Sequence, residues 1–162
     1  MIEADQIHQG LWQGSKPPKG STVSEAGFSL LVLCAMEYQP PAQNFQNVTV
    51  VHAPNDDNSY VVPTKQQLNL AWTAAQKAAE EIQAGRSVLV TCYAGLNRSG
   101  LVSALTLHRL LGVSGLEACE IVKHSRPQAL SNSQFVKCLA RIPKRQATNP
   151  LPASAPKGFV LL

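Results

Sequence analysis

No stretch of this chain approaches the ~20 consecutive apolar residues that a membrane-crossing helix needs, so the sequence predicts no membrane partner. The first residues, with Glu3 and Asp5 among them, lack the basic-then-apolar order of a secretory leader, and the expected location is cytoplasmic. No Cys-x-x-Cys pair and no Cys/His cluster at metal-ligand spacing occurs. That argues against a zinc site, and the reading includes neither metal nor cofactor. Lys and Arg exceed Asp and Glu by only 14 to 10, too small a surplus to mark a nucleic-acid-binding surface. Internal repeats are missing as well. Aspartate is scarce, limited to Asp5, Asp56 and Asp57, so any chemistry that needs an aspartate has few to choose from.

What is present suits one domain. A length of 162 residues with 44% apolar side chains is enough for a real core. Of the four cysteines (Cys34, Cys92, Cys119 and Cys138), three fall inside strand-like or helix-like apolar patterns, where buried reduced thiols are the default. The periodicities predict a short strand over 7–15, a short helix over 21–27 capped by Ser21 or Ser24, and strands over 29–34 and 48–53. A helix follows from Thr64 to Gly85, with Leu68, Ala71, Trp72, Ala75, Ala79 and Ile82 on one apolar face. Further helices are expected over 99–111, 116–124 and 133–141, the last announced by Asn132. From 143 to 162 the composition turns to Pro, Ala, Ser and Lys and reads as an extended tail; its end, from Gly158 to Leu162, is apolar enough to dock on the domain or on a partner.

The most informative segment is 88–100. An apolar, β-branched run ends at Cys92; Gly95 follows three places later, Arg98 six places later and Ser99 next, and a helical pattern then begins. A strand, a tight loop and a helix N-terminus in that order aim successive backbone N–H groups into one concavity, which is a seat for a phosphate-like anion. A cysteine at its base has its thiolate stabilised by those donors and by Arg98 and becomes a nucleophile facing phosphorus. The planar fork of Arg98 can hold two phosphoryl oxygens at once, which a lysine could not copy. Requiring Cys, Gly, Arg and Ser together at these offsets lowers chance occurrence to the order of one in a thousand.

With Cys92, Gly95, Arg98 and Ser99 in place, the segment resembles the active-site loop of the dual-specificity subclass of cysteine-dependent protein phosphatases, His-Cys-x-x-Gly-x-x-Arg-Ser. Thr91 stands where that pattern has His. The opening Leu11-Trp12-x-Gly14-Ser15, the Leu31-Val32-Leu33 strand and the run Arg126-Pro127 with Asn132 and Phe135 resemble other parts of the same family, so the likeness spans about 7 to 141. It implies an α/β fold, a single domain with a central, mostly parallel sheet of four to five strands flanked by helices, built from residues 1–142 and followed by the tail 143–162. It also implies a phosphomonoesterase acting through a phosphocysteine on Cys92. The polar loop from Asn55 to Tyr60 would carry the general acid, with Asp57 the first choice and Asp56 the alternative; both also suit a plain turn. Ser99 would assist the departing thiolate, while Arg98 and the amides of Tyr93, Ala94, Gly95, Leu96 and Asn97 hold the phosphoryl group.

The substrate implied is phosphotyrosine, with phosphoserine or phosphothreonine, in a protein or peptide, and the protein is expected to act as a monomer. The loop interior lacks lysine, which argues against phosphoinositide-selective relatives. An RNA 5′-triphosphatase on the same fold, a phosphoinositide phosphatase and a phosphate-binding pseudophosphatase are the competing readings, the last because of Thr91. Arg126 could contact substrate or serve as a salt-bridged anchor. Finally, the segment from Leu33 to Tyr38 resembles that around a non-catalytic cysteine of lipid phosphatases in the superfamily, which implies a reversible Cys34–Cys92 disulfide under peroxide; an inert strand cysteine is the plain alternative.

Overall fold

In a computed structural model, residues 1–145 and 157–160 are described. Five strands form one sheet in the order β1-β2-β5-β3-β4. These are β1 (Ala4–His8), β2 (Leu11–Gly14), β3 (Phe28–Ala35), β4 (Thr49–Asn55) and β5 (Ser87–Thr91). Only β1 runs antiparallel to its neighbour. The single strand expected over 7–15 is therefore a hairpin. Gly10 at φ +82° makes a turn that apolar periodicity could not reveal, and the first arm extends upstream to Ala4.

β5 lies at the centre, and both its faces are covered, as its unbroken apolar run requires. On one face Val88 and Val90 of β5 join Leu30, Val32 and Cys34 of β3 in the main core. On the other, Leu89 joins Leu31, Leu33, Val23 and Phe45. Strand alternation thus assigns Cys92, two residues beyond Val90, to the main-core side.

That side is filled by α2 (Lys65–Gln83), α3 (Arg98–Leu111), α4 (Gly115–Ser125) and α5 (Ser133–Ala140), while α1 (Thr22–Glu25) packs on β3 across the sheet. Local chemistry sets the helix boundaries. Thr64 and Gln67 form a reciprocal capping box at the start of α2, Ser114 and Glu117 do the same for α4, and Asn132 caps α5. A side chain at Gly115 would come within 1.9 Å of the Leu139 carbonyl, so α4 and α5 touch backbone to backbone there. α3 is buried along most of its length, from Arg98 through Arg109.

Of the tail 143–162, residues 146–156 and 161–162 lie outside the described residues. The short α6 (Lys157–Val160) lies against α2, with Phe159 buried and its ring 5.9 Å from that of Trp72.

Because β3, β4 and β5 are parallel, their C-terminal ends lie along one edge of the sheet. The segments that follow them, beginning at Met36, Asp56 and Cys92, converge there, where ligands bind in open α/β sheets.

Candidate active site

The loop from Cys92 to Asn97 joins β5 to α3 and is shaped from behind. Lys16 N–H bonds the Tyr93 carbonyl at 3.1 Å, Gln13 Nε2 bonds the Gly95 carbonyl at 3.0 Å, and Leu130 N–H bonds the Leu96 carbonyl at 3.2 Å. In a planar trans peptide the N–H points opposite to the C=O. Drawing these carbonyls outward therefore turns the amides of Ala94, Leu96 and Asn97 toward the inside of the loop. Gly95, at φ +73°, lies so close to β2 that a side chain on it would come within 2.5 Å of the Gly14 backbone. The glycine of the loop is thus a matter of both dihedral and space.

Inside this ring sits Cys92, 4% exposed, its Sγ 3.2 Å from the hydroxyl of Ser99. A thiolate there accepts the Ser99 hydrogen. Thr91, where a histidine stood in the pattern, turns away and donates its hydroxyl to the Val32 carbonyl at 2.8 Å. It ties β5 to β3 and takes no direct part in the loop.

Arg98 is 7% exposed and is held at its far end. Nη1 and Nη2 donate to the two oxygens of Glu37 at 2.5 and 2.6 Å, and Nη1 also donates to the Asn55 carbonyl at 3.1 Å. Glu37 occupies the end-on edge of the guanidinium. The lateral edge remains, with a buried Nε that has no hydrogen-bond partner. A buried donor left so is costly unless an acceptor arrives, and the lateral edge offers two parallel N–H groups to a phosphoryl group. The Arg98 hydrogen bonds hold the Glu37 carboxyl below its ordinary range despite partial burial.

The two candidate acids differ in their surroundings. Asp57 accepts hydrogen bonds from Asn97 Nδ2 at 3.1 Å and Asn132 Nδ2 at 2.8 Å, and its charge is felt by Arg98. Asp56 is exposed, as Asp57 is, and its backbone N–H is bonded to Asn55 Oδ1. β4 runs on to Asn55, two residues beyond the expected end, so the acid-bearing loop starts at Asp56 itself.

Arg126 is an anchor. Its Nη1 reaches Asp5 at 2.8 Å, Glu3 at 3.0 Å and the Gln13 carbonyl at 3.3 Å, fastening β1 and β2 beside the loop. Gln13, Glu37 and Asn97 as a side chain are the residues the sequence reading did not single out. Gln13 left one signal in the sequence, a polar amide in an apolar strand segment; the structure buries it fully. All four cysteines are free and buried, and burial first, then the Cys92 charge, pushes the Cys34 thiol well above its ordinary range. Among the described residues no group of three His, Cys, Asp or Glu side chains could hold a metal ion, and no helix is long and apolar enough to cross a membrane.

Residues 11–145 match the dual specificity phosphatase catalytic domain. Among solved structures, the human phosphatase DUSP28 superposes with a TM-score of 0.69 at 25% identity, covering 83% of this chain and 88% of that one. A mouse putative dual specificity phosphatase, solved with zinc tungstate, gives 0.66 at 27% identity, covering 83% and 82%. Tk-PTP in its active form gives 0.68 at 25%, covering 83% and 92%. A search of curated protein sequences finds no match. With the family model matching most of the chain and these structures sharing its fold, the chain belongs to the dual specificity phosphatase family of cysteine-dependent phosphatases.

Proposed function

We propose that this phosphatase acts on phosphorylated proteins through a phosphocysteine intermediate on Cys92. The S–P bond forms as the P–O bond to the leaving group breaks, and Asp57 gives its proton to the departing oxygen. Water then attacks phosphorus, Asp57 takes the water proton, and the thiolate leaves toward the Ser99 hydroxyl. Throughout, the lateral edge of Arg98 and the loop amides from Tyr93 to Asn97 hold the phosphoryl oxygens, more tightly in the transition state than in the ground state. The single observation that carries this reading is the 3.2 Å contact of Cys92 with Ser99, beneath an arginine whose buried Nε awaits an acceptor.

The charges around the seat favour a single phosphate on a protein side chain. Arg98 is paired with Glu37 and Arg126 with Glu3 and Asp5, while Lys16 lies over the rings of Tyr38 and Tyr93 at 4.7 and 5.8 Å. The ring contacts leave the Lys16 ammonium charged, but an inositide with several phosphates or a 5′-triphosphate needs more cations than this one. The segments bordering the loop instead expose Met36, Tyr60, Val61, Val62 and Tyr93. Residues 1–142 are the catalytic domain in this reading and 143–162 a tail. Four free, buried cysteines fit a reducing compartment such as the cytoplasm. The test is metal-free turnover of phosphotyrosine and phosphoserine peptides beside a phosphoinositide and a 5′-triphosphorylated RNA. Peptide turnover exceeding both others is the expected result; preference for the inositide or the RNA overturns the substrate assignment, and phosphate binding without turnover overturns the enzyme.

A further inference from the structure

We infer that the side chain of Asn97 is a positioning residue that latches the general acid to the phosphate-binding loop. The inference rests on the reading of Asp57 as that acid. Asn97 occupies the N-cap position of α3, where an asparagine ordinarily bonds the first turn of its own helix. Here it makes no such bond. Both ends of its amide are used elsewhere: Oδ1 accepts from the Asn132 N–H at 2.9 Å, and Nδ2 donates to Asp57 Oδ2 at 3.1 Å.

With Oδ1 on a backbone donor and Nδ2 on a carboxylate, the amide has one orientation that satisfies both. Asn132 completes the arrangement, bonding the other Asp57 oxygen at 2.8 Å through Nδ2 while its own Oδ1 caps α5 on Gln134 N–H at 2.9 Å. Gln134 in turn reaches the Ser59 carbonyl, two residues past Asp57, at 3.2 Å. The acid-bearing loop is exposed from Asp56 through Val62 apart from a half-buried Asn58, so its own packing does little to fix it. Two amides, one from the phosphate-binding loop and one from the cap of α5, fix the carboxylate.

An oxygen that accepts one hydrogen bond keeps a second lone pair. The latch therefore holds Asp57 without occupying the site from which it passes its proton. Since Asn97 immediately precedes Arg98, the acid is registered directly to the group that holds the phosphoryl oxygens. General acid catalysis tolerates little misplacement, so the latch acts on the step in which the leaving oxygen takes a proton.

Leaving-group dependence tests this. A good leaving group such as 4-nitrophenolate departs with little protonation, whereas phenolate needs the acid. With vanadate binding measured alongside, Asn97→Ala is expected to lower kcat/KM, which reports the step before the phosphocysteine common to both esters, about 10-fold on phenyl phosphate and less than about 3-fold on p-nitrophenyl phosphate, a part of the 10²–10⁴ that such catalysis supplies. Vanadate affinity should hold. In the Asp57→Asn background the same substitution should add nothing. Equal losses on both esters, weakened vanadate binding or an additive double variant would overturn the latch. An Asp57→Asn enzyme with unchanged leaving-group dependence would instead remove Asp57 as the acid, and the latch with it.

Discussion

Glu37→Gln is the perturbation that probes the proposed role of Arg98 without touching the arginine itself. The carboxylate meets Arg98 with two hydrogen bonds, of 2.5 and 2.6 Å, from a position 45% exposed to solvent, while the arginine is 7% exposed. Charge centres about 4 Å apart attract by about 4 kcal/mol at an effective dielectric near 20. Solvent screening of a half-exposed carboxylate and the cost of burying the arginine reduce the net effect to about 1–2 kcal/mol. A glutamine of the same shape keeps one acceptor and sets an NH2 group against the guanidinium. If that loss falls on the orientation of the lateral edge, kcat/KM for an aryl phosphate drops about 5- to 30-fold, since each 1.36 kcal/mol of barrier is tenfold. Steady-state kinetics with a parallel thermal melt checks it. Because the Glu37 carboxyl is held below its ordinary range, chiefly by its hydrogen bonds to Arg98, the pairing is complete above that range and is lost only as pH falls through the lowered value. The defect should therefore be the same from pH 5 to 7. An unchanged kcat/KM would refute the idea that Glu37 sets the arginine.

Gln13→Ala should destabilise the fold by about 1–3 kcal/mol in urea unfolding, because it strips a buried carbonyl of its donor, and should lower activity through the loop. His108, buried with Nδ1–H donating to the Val113 carbonyl at 2.7 Å, is shifted below its ordinary pKa by burial, with Arg145 and Arg109 adding to the effect. Its neutral form is thus favoured in the folded state. Stability should fall as pH drops below the unfolded value of about 6.5, and His108→Gln should flatten that slope in melts between pH 5 and 7.5. For Cys34, peroxide would convert the Cys92 thiolate to a sulfenic acid, and condensation with the Cys34 thiol, losing water, would give a disulfide that thiols reverse. Cys34→Ser should let further peroxide carry the sulfenic acid on to the sulfinic acid, so that recovery with thiol falls as exposure lengthens, and unchanged recovery with thiol would discard the pairing.

The loop from Cys92 to Asn97 was legible as a candidate site because its parts are neighbours in the chain. Strand, cysteine, glycine, arginine and helix start fall within 13 residues, and local chemistry alone dictates their arrangement. Two of the helices were legible for the same reason, since Thr64 and Asn132 announce them by capping. What sequence left hidden is what topology brings together. Glu37 lies 61 positions from Arg98, Gln13 lies 82 from Gly95 and Asp57 lies 40 from Asn97. No periodicity encodes those meetings. They follow from four parallel strands, β2 to β5, delivering their ends to one edge. Thr91 is instructive in another way: its departure from the family pattern raised the prospect of a binding module, yet the hydroxyl does a strand-tying job on Val32 and leaves the contact of Cys92 with Ser99 in place. The docking of Phe159 on Trp72 was left open by composition alone, because an apolar tail end fits its own domain or a partner equally well.

The most direct test of the mechanism is to trap the intermediate. Ser99→Ala should slow departure of the thiolate, so a rapid quench during turnover of an aryl phosphate, followed by peptide mapping, should find the phosphoryl group on the peptide bearing Cys92, and Cys92→Ser should show neither the adduct nor turnover. Hydrolysis that persists in Cys92→Ser, or a phosphoryl group carried on any other residue, would contradict the account.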